Sequence, residues 1–375
     1  MQFTPQRLEK LNRFMKHEEV DAIIVTRSQD VQYLTGYQNP RQDVPVGCLI
    51  PVDQSPSLLV SESQHDLVAQ ENLISRLVSY KDSSEQIWHP LHSHSFWEKI
   101  VDLVGEQSLS DGMIGLQHEW ITVKEFDLLK EMLPRAGFKN FSNVLWRMRE
   151  VKDAMEIDAI IQAVKIAEIG LRTALEVVAA GKTESETSVE IEAAMRSAGG
   201  QLRGIRAAVL SGLKAPYRFS QPTSARIDMD SPVLVDITVS HAGYFAEVAR
   251  TLHTSRPTDK QKDIMKKNHA ICDFLEKQMK PNVKISDLME KVSDIINLEK
   301  TDYQLIGPVG NSIGLDLREP PLLISSNPTS LREGMIFSVH PTFYHEKSGS
   351  VKTADVFRIT QDGCENLSRI SRETM

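Results

Sequence analysis

Along the first third of the chain, helical and extended rhythms of apolar positions alternate. Leu8, Leu11, Phe14 and Met15 fall on one helical face. Thr4 is placed as the N-cap and Pro5 at the first helical position. Residues 21–26 form a short continuous apolar run, the kind that suits a strand buried on both faces of a parallel or mixed sheet. Residues 33–37 read as a strand end and turn, and residues 48–52 and 58–60 as further strands. Residues 123–133 are amphipathic and helical. This alternation predicts a self-contained α/β domain over residues 1–145.

A long helical pattern follows over residues 149–175, and Gly181 ends the region. Residues 183–194 read as a second helix with acidic residues in its first turn, which suits the helix dipole. Strands are then expected at 207–210, 232–239, 244–252, 304–306, 335–340 and 353–360. Two helices interrupt them, at 259–279 and 285–298. Helices grouped beside a mainly antiparallel sheet predict an α+β domain over residues 146–375.

Composition narrows the function classes. A chain of 375 residues, 41% hydrophobic and 25% charged, can bury two cores. The formal net charge of −8, with no Lys/Arg cluster, argues against a nucleic-acid partner. Cys48, Cys272 and Cys364 are scattered, which fits a reducing compartment. The first ten residues lack the apolar core of a leader, and no run approaches the ~18 apolar residues of a membrane span. The expectation is a soluble, cytoplasmic protein with no membrane partner.

One segment carries candidate chemistry. Asp236 ends the apolar run Val233-Leu234-Val235, and Glu247 follows eleven residues later on the return strand, after Gly243. Two such carboxylates can face each other across a hairpin. Buried together they need a metal, a shared proton or a basic partner. The plainer alternative is that Asp236 caps a turn and Glu247 pairs with Arg250 in solvent. His241 sits in the turn between the acids and is placed to lean over a pocket.

Further motifs follow in order: Gly310-Asn311-Ser312-Ile313-Gly314 with Arg318-Glu319-Pro320, then Glu333-Gly334-Met335 with His340-Pro341, then Val351-Lys352-Thr353-Ala354-Asp355. With Tyr33-Leu34-Thr35-Gly36-Tyr37, Ile114-Gly115-Leu116 and Arg149-Glu150-Val151-Lys152-Asp153, the set resembles the creatinase / Xaa-Pro aminopeptidase / prolidase family. The resemblance covers essentially the whole chain. It implies a creatinase-type N-terminal domain, a pita-bread catalytic domain and a homodimer. It also implies a metal set of Asp, Asp, His, Glu and Glu, from which this chain departs. Asp236 is kept; Glu247, Asn311, His340 and Ala354 stand at the other four positions. A further family histidine falls near Phe219, and Arg318 replaces the histidine before Glu319.

A dinuclear hydrolase needs several anionic oxygens to hold two cations. The reading is therefore a hydrolase-type enzyme acting on a small C–N bonded substrate with no cofactor, as creatinase is. The catalytic candidates are His340, Asp236 and Glu247, with His340 as general base or acid beside a carboxylate. Asn311 and Arg318 are placed to polarise or anchor a carbonyl or carboxylate, and Glu319 to pair with Arg318 or hold a substrate cation. His241 and Arg41 are the remaining substrate-binding candidates; a loop of the N-terminal domain from a partner subunit closes the site in this family. One alternative is an Xaa-Pro dipeptidase or aminopeptidase with a single divalent ion, Mn, Zn or Fe, on Asp236, Glu247 and His340. Another is a catalytically inactive protein that binds a small molecule or peptide. His89, His92 and His94 read as an exposed loop.

Overall fold

The computed structural model describes residues 5–41, 43–71, 74, 76–81, 94–201, 203–212, 220–296 and 302–373. Thr4, His89, His92, Phe219 and Leu298 lie outside the described residues. The chain forms two compact units, Met1–Arg149 and Glu150–Met375. Among the described residues no helix is long and apolar enough to cross a membrane.

The first unit alternates α1 (Pro5–His17), β1 (Ala22–Val25), α2 (Ser28–Thr35), β2 (Gly47–Pro51), β3 (Ser57–Ser61), α3 (Glu62–Glu71) and β4 (Arg76–Tyr80). It continues with α4 (His94–Glu106), β5 (Met113–Leu116), α5 (Val123–Met132), β6 (Gly137–Asn140) and α6 (Ser142–Arg149). The strands form one mixed sheet in the order β4-β3-β2-β1-β5-β6. β1 lies at its centre, antiparallel to β2 and parallel to β5, and all four of its residues are buried, as its unbroken apolar run requires.

Residues 33–37 correct the expectation of a strand end. They close helix α2, and Gly36 caps it with φ 81° while its N–H bonds Gln32 O at 2.8 Å. Burial decides this, not propensity: Tyr33 lies under the Arg7 guanidinium, 4.4 Å from its ring centroid, and bonds Met148 O at 3.1 Å. Asp30, one turn earlier, organises the buried charges of this unit. Its Oδ1 accepts from Arg149 at 2.7 Å, and its Oδ2 from Gln117 at 2.7 Å and Arg27 at 3.3 Å. His94 is not in a loop; it opens α4, 3.3 Å from Glu98 one turn on.

The second unit opens with α7 (Ala154–Val177), α8 (Glu184–Ser197), β7 (Arg206–Ser211), β8 (Pro232–His241) and β9 (Tyr244–His253). Next come α9 (Asp259–Gln278), α10 (Ile285–Ile296), β10 (Gln304–Leu305), β11 (Gly310–Ser312) and β12 (Glu319–Leu323). It ends with β13 (Ile336–Val339), β14 (Thr342–His345), β15 (Gly349–Lys352), β16 (Asp355–Ile359) and β17 (Cys364–Asn366). The helical pattern expected to run unbroken from residue 149 is interrupted before α7. Asp153 and Glu156 form a reciprocal capping box there, which starts a new helix.

α7 and α8 lie on the antiparallel sheet β7-β8-β9. Gly170 lets α7 and α8 approach, because a Cβ there would sit 2.8 Å from the Met195 side chain. Glu184, the first residue of α8, accepts four hydrogen bonds: Ser211 N and Oγ at 2.8 Å each, and Thr223 N at 3.0 Å and Oγ1 at 2.8 Å. The β8–β9 hairpin turns through Ala242 and Gly243, both at positive φ. A second antiparallel sheet has the order β12-β11-β13-β16-β17, and a third the order β10-β14-β15. Ala249 of β9 and Ala354 exchange backbone hydrogen bonds of 3.2 and 3.0 Å, joining the hairpin to the segment between β15 and β16. Helices α9 and α10 close the core with Ile271, Leu275, Leu288 and Val292 against Phe337, Phe343 and Phe357.

Candidate active site

Strand register places the two acids. Glu247 lies opposite Thr238, and Asp236 opposite Ala249. The acids are diagonal neighbours on one face, not a directly facing pair. His241 is the correction here. It sits five residues beyond Asp236 at the end of β8, so its side chain takes the opposite face, about 16 Å along the strand. It does not join the site.

The acids have a basic partner that the sequence reading did not single out. Lys352 Nζ, at the end of β15, lies 2.8 Å from Asp236 Oδ2 and 2.6 Å from Glu247 Oε1. Its position is held by the backbone: Lys352 N donates to Thr251 Oγ1 at 2.9 Å. Thr251 is four residues beyond Glu247 on β9, hence on the same face. Ser338 of β13 donates to Glu247 Oε2 at 2.7 Å. Burial alone would raise the Glu247 carboxyl, but the charges of Lys352, His340 and Arg318 and the Lys352 hydrogen bond hold it well below its usual value of 4.5. Burial pulls the Lys352 amine down, and the two carboxylates more than offset that, so it stays charged. The plainer alternative for Glu247 does not hold. Arg250 pairs with Asp355 at 2.8 Å, and both are buried.

Asn311 and Ser338 are register partners on β11 and β13, which brings Asn311 beside the acids. Its Nδ2 donates to Ser312 O at 2.7 Å and Leu317 O at 3.0 Å, so Oδ1 must point the other way. That oxygen accepts from Arg318 at 3.2 Å and from His340 Nε2 at 2.9 Å. The bond network therefore assigns the His340 proton to Nε2 and leaves the Nδ1 lone pair as the acceptor of the neutral ring. Burial, with the nearby Lys352 and Arg318 charges, outweighs Glu247 and lowers His340 from 6.5 to about 4. His340 is thus neutral at physiological pH: Glu247 does favour its protonated form, but burial and the two cations outweigh it.

Glu319 is not available to a substrate or to Arg318. It pairs with Lys152 at 3.1 Å, both side chains being 1% exposed, and Lys152 also donates to Ser312 Oγ at 2.9 Å. Arg318 is exposed and makes no ion pair among the described residues. Arg41 lies in the first unit, where it is exposed and forks onto Asp43, 3.0 Å from Nε to Oδ1. The structure thus gathers Asp236, Glu247, His340, Asn311 and Arg318, and adds Lys352, Ser338 and Lys152.

Among the described residues no group of three or more His, Cys, Asp and Glu is placed to hold a metal ion. The donor chemistry agrees. Lys352 lies between the two carboxylates, His340 turns an N–H toward Asn311, and Ala354 offers no donor. As arranged, these residues do not fit a divalent cation. The sequence signalled that a compensating partner was needed, though not that it is Lys352. Two carboxylates on a buried hairpin require a compensating charge, and Lys352 is the cation in the strand that lies alongside.

Comparison with known proteins gives a consistent placement. The sequence profile of metallopeptidase family M24 matches residues 158–361, and that of the creatinase/prolidase N-terminal domain matches residues 7–151. An Xaa-Pro dipeptidase of Pyrococcus horikoshii is 24% identical over 373 residues, covering 100% of this chain and 99% of that protein. An Xaa-Pro dipeptidase of Pyrococcus furiosus is 25% identical over 371 residues, covering 99% of each. The crystal structure of the prolidase from Pyrococcus horikoshii OT3 superposes with a TM-score of 0.85 at 22% identity, covering 99% of this chain and 100% of that one.

Proposed function

The chain belongs to metallopeptidase family M24, and on that premise we propose that it is a hydrolase cleaving a C–N bond in a small, dipeptide-sized molecule without the family's dinuclear metal centre. Its architecture is the family's: a creatinase/prolidase-type N-terminal domain followed by a pita-bread domain. The relatives named as Xaa-Pro dipeptidases support the reaction class. The observation that carries the metal-free reading is the Lys352 amine bound to both Asp236 and Glu247.

The chemistry can be written with these side chains. Arg318 anchors the substrate's carboxylate. His340 Nδ1 takes a proton from water as the water oxygen bonds to the carbonyl carbon. The C–N bond then breaks, and the same proton passes to the leaving nitrogen. Lys352 sets positive charge toward the oxyanion that develops between these steps. Asp236 and Glu247 hold Lys352, and Asn311 fixes the tautomer of His340. A homodimer, in which Arg41 of one protomer serves the site of the other, is part of the proposal.

The test is a panel of proline-containing dipeptides and small amides, ureas and amidines, with amine release followed in the presence of chelator. Turnover that ignores chelator and disappears in His340→Ala is expected. Turnover that needs added Mn, Zn or Fe would overturn the metal-free reading. Turnover retained by His340→Ala would overturn the assignment of the base. A second reading, a small-molecule binding protein, draws on the burial that weakens His340 as a base. It predicts ligand-induced stabilisation with no product.

A further inference from the structure

The charge balance of the site reaches beyond the reaction. Asp236 and Glu247 stand at positions where the family resemblance implies metal ligands. Their negative charges are met by a side chain of the protein itself. Lys352 contributes a compact, strongly hydrated point charge with three donors, so it is suited to bridging two carboxylates. It is not a loosely held surface lysine: its side chain is 8% exposed, and that of Glu247 1%. Its backbone is clasped from both sides by Thr251, through Lys352 N to Oγ1 at 2.9 Å and Oγ1 to Lys352 O at 3.4 Å. One oxygen is left over. Asp236 Oδ1 is buried and has no hydrogen-bond partner among the described residues, as expected where one ammonium serves a carboxylate pair with more lone pairs than it can reach.

We infer that Lys352 is a built-in substitute for a divalent cation, and that the site it fills is a latent cation site on Asp236 and Glu247. An ammonium and a divalent ion cannot share these carboxylates, because like charges at this separation repel strongly in a buried setting. Lys352 therefore excludes metal from the native chain, and removing it opens the acids to a hard divalent ion such as Mn²⁺. This inference rests on the metal-free part of the proposed function and gives it a cause.

The experiment reads metal content and melting temperature, not activity. The full-length wild type, Lys352→Ala, and Lys352→Ala combined with Glu247→Gln are stripped with chelator, incubated with Mn²⁺ or Zn²⁺, and desalted. The wild type is expected to retain none, Lys352→Ala about one equivalent, and the double variant none. Only Lys352→Ala should gain melting temperature on addition of Mn²⁺. A wild type that keeps a full equivalent overturns both the inference and the metal-free reading. A wild type without metal, together with a Lys352→Ala that takes up none, overturns the inference alone. If Lys352→Ala does not fold without metal, Lys352→Gln replaces it. Recovery of its fold by Mn²⁺ supports the inference, and no uptake by a folded Lys352→Gln overturns it.

Discussion

His340 Nε2 and Asn311 Oδ1 lie 2.9 Å apart, and the Asn311 amide is itself pinned by two backbone carbonyls. Burial, with the nearby Lys352 and Arg318 charges, holds this imidazole neutral in the fold, lowering its value from 6.5 to about 4, and the unfolded chain takes up the proton first. Stability from this residue is complete above 6.5 and is lost as pH falls toward about 4, with a slope approaching ~1.4 kcal/mol per pH unit. Urea midpoints at several pH values across that window should show the decline, and His340→Gln should flatten it. A wild type whose midpoint does not move would contradict the neutral assignment.

Lys352→Met strands the buried Glu247 carboxylate and the partly buried Asp236 carboxylate. Breaking a buried ion pair from one side costs about 3–5 kcal/mol. Lys352→Met combined with Glu247→Gln should recover part of that loss, because fewer unpaired charges remain. A double-mutant cycle from urea unfolding measures the coupling. Simple additivity would show that the two side chains do not interact.

Gly314 has no room for a methyl group. A Cβ there would lie 2.7 Å from Glu319 Oε1, and Glu319 is bound to Lys152. Gly314→Ala should lower stability by about 1–3 kcal/mol through this overpacking. Glu319→Ala should lower it further, by about 3–5 kcal/mol, because it leaves the Lys152 ammonium buried and unpaired. Calorimetric melts of the two variants test the order.

Arg318 is the exposed cation of the site. Arg318→Ala should raise KM for a carboxylate-bearing substrate about tenfold or more while changing kcat little, the pattern of lost uniform binding. The effect should be absent for an uncharged amide. Equal changes for both substrates would remove the anchoring role.

Much of the fold was legible because it is locally encoded. The β8–β9 hairpin carries its own apolar runs and its Ala242-Gly243 turn, and α9 and α10 keep their helical period. What escaped notice depends on distant partners. α2 is an eight-residue helix whose Tyr33 is fixed by Arg7 and Met148, neither of them local. The short strands β11 and β12 are defined by pairing more than by pattern. At the site, Asp236, Glu247, His340 and Asn311 were found through their order in the chain, whereas Lys352 and Lys152 were found only through the electrostatics of the folded site. A lone lysine in a strand carries no spacing signature; its meaning comes from the acids it meets more than a hundred residues away in sequence.

Glu184 binds Ser211 through one carboxylate oxygen and Thr223 through the other. Ser211 and Thr223 are thus moored to a single side chain on α8. Such a mooring works as a clasp: one carboxylate fastens the end of β7 and Thr223 to the first turn of α8, so a single substitution at Glu184 would unfasten both at once.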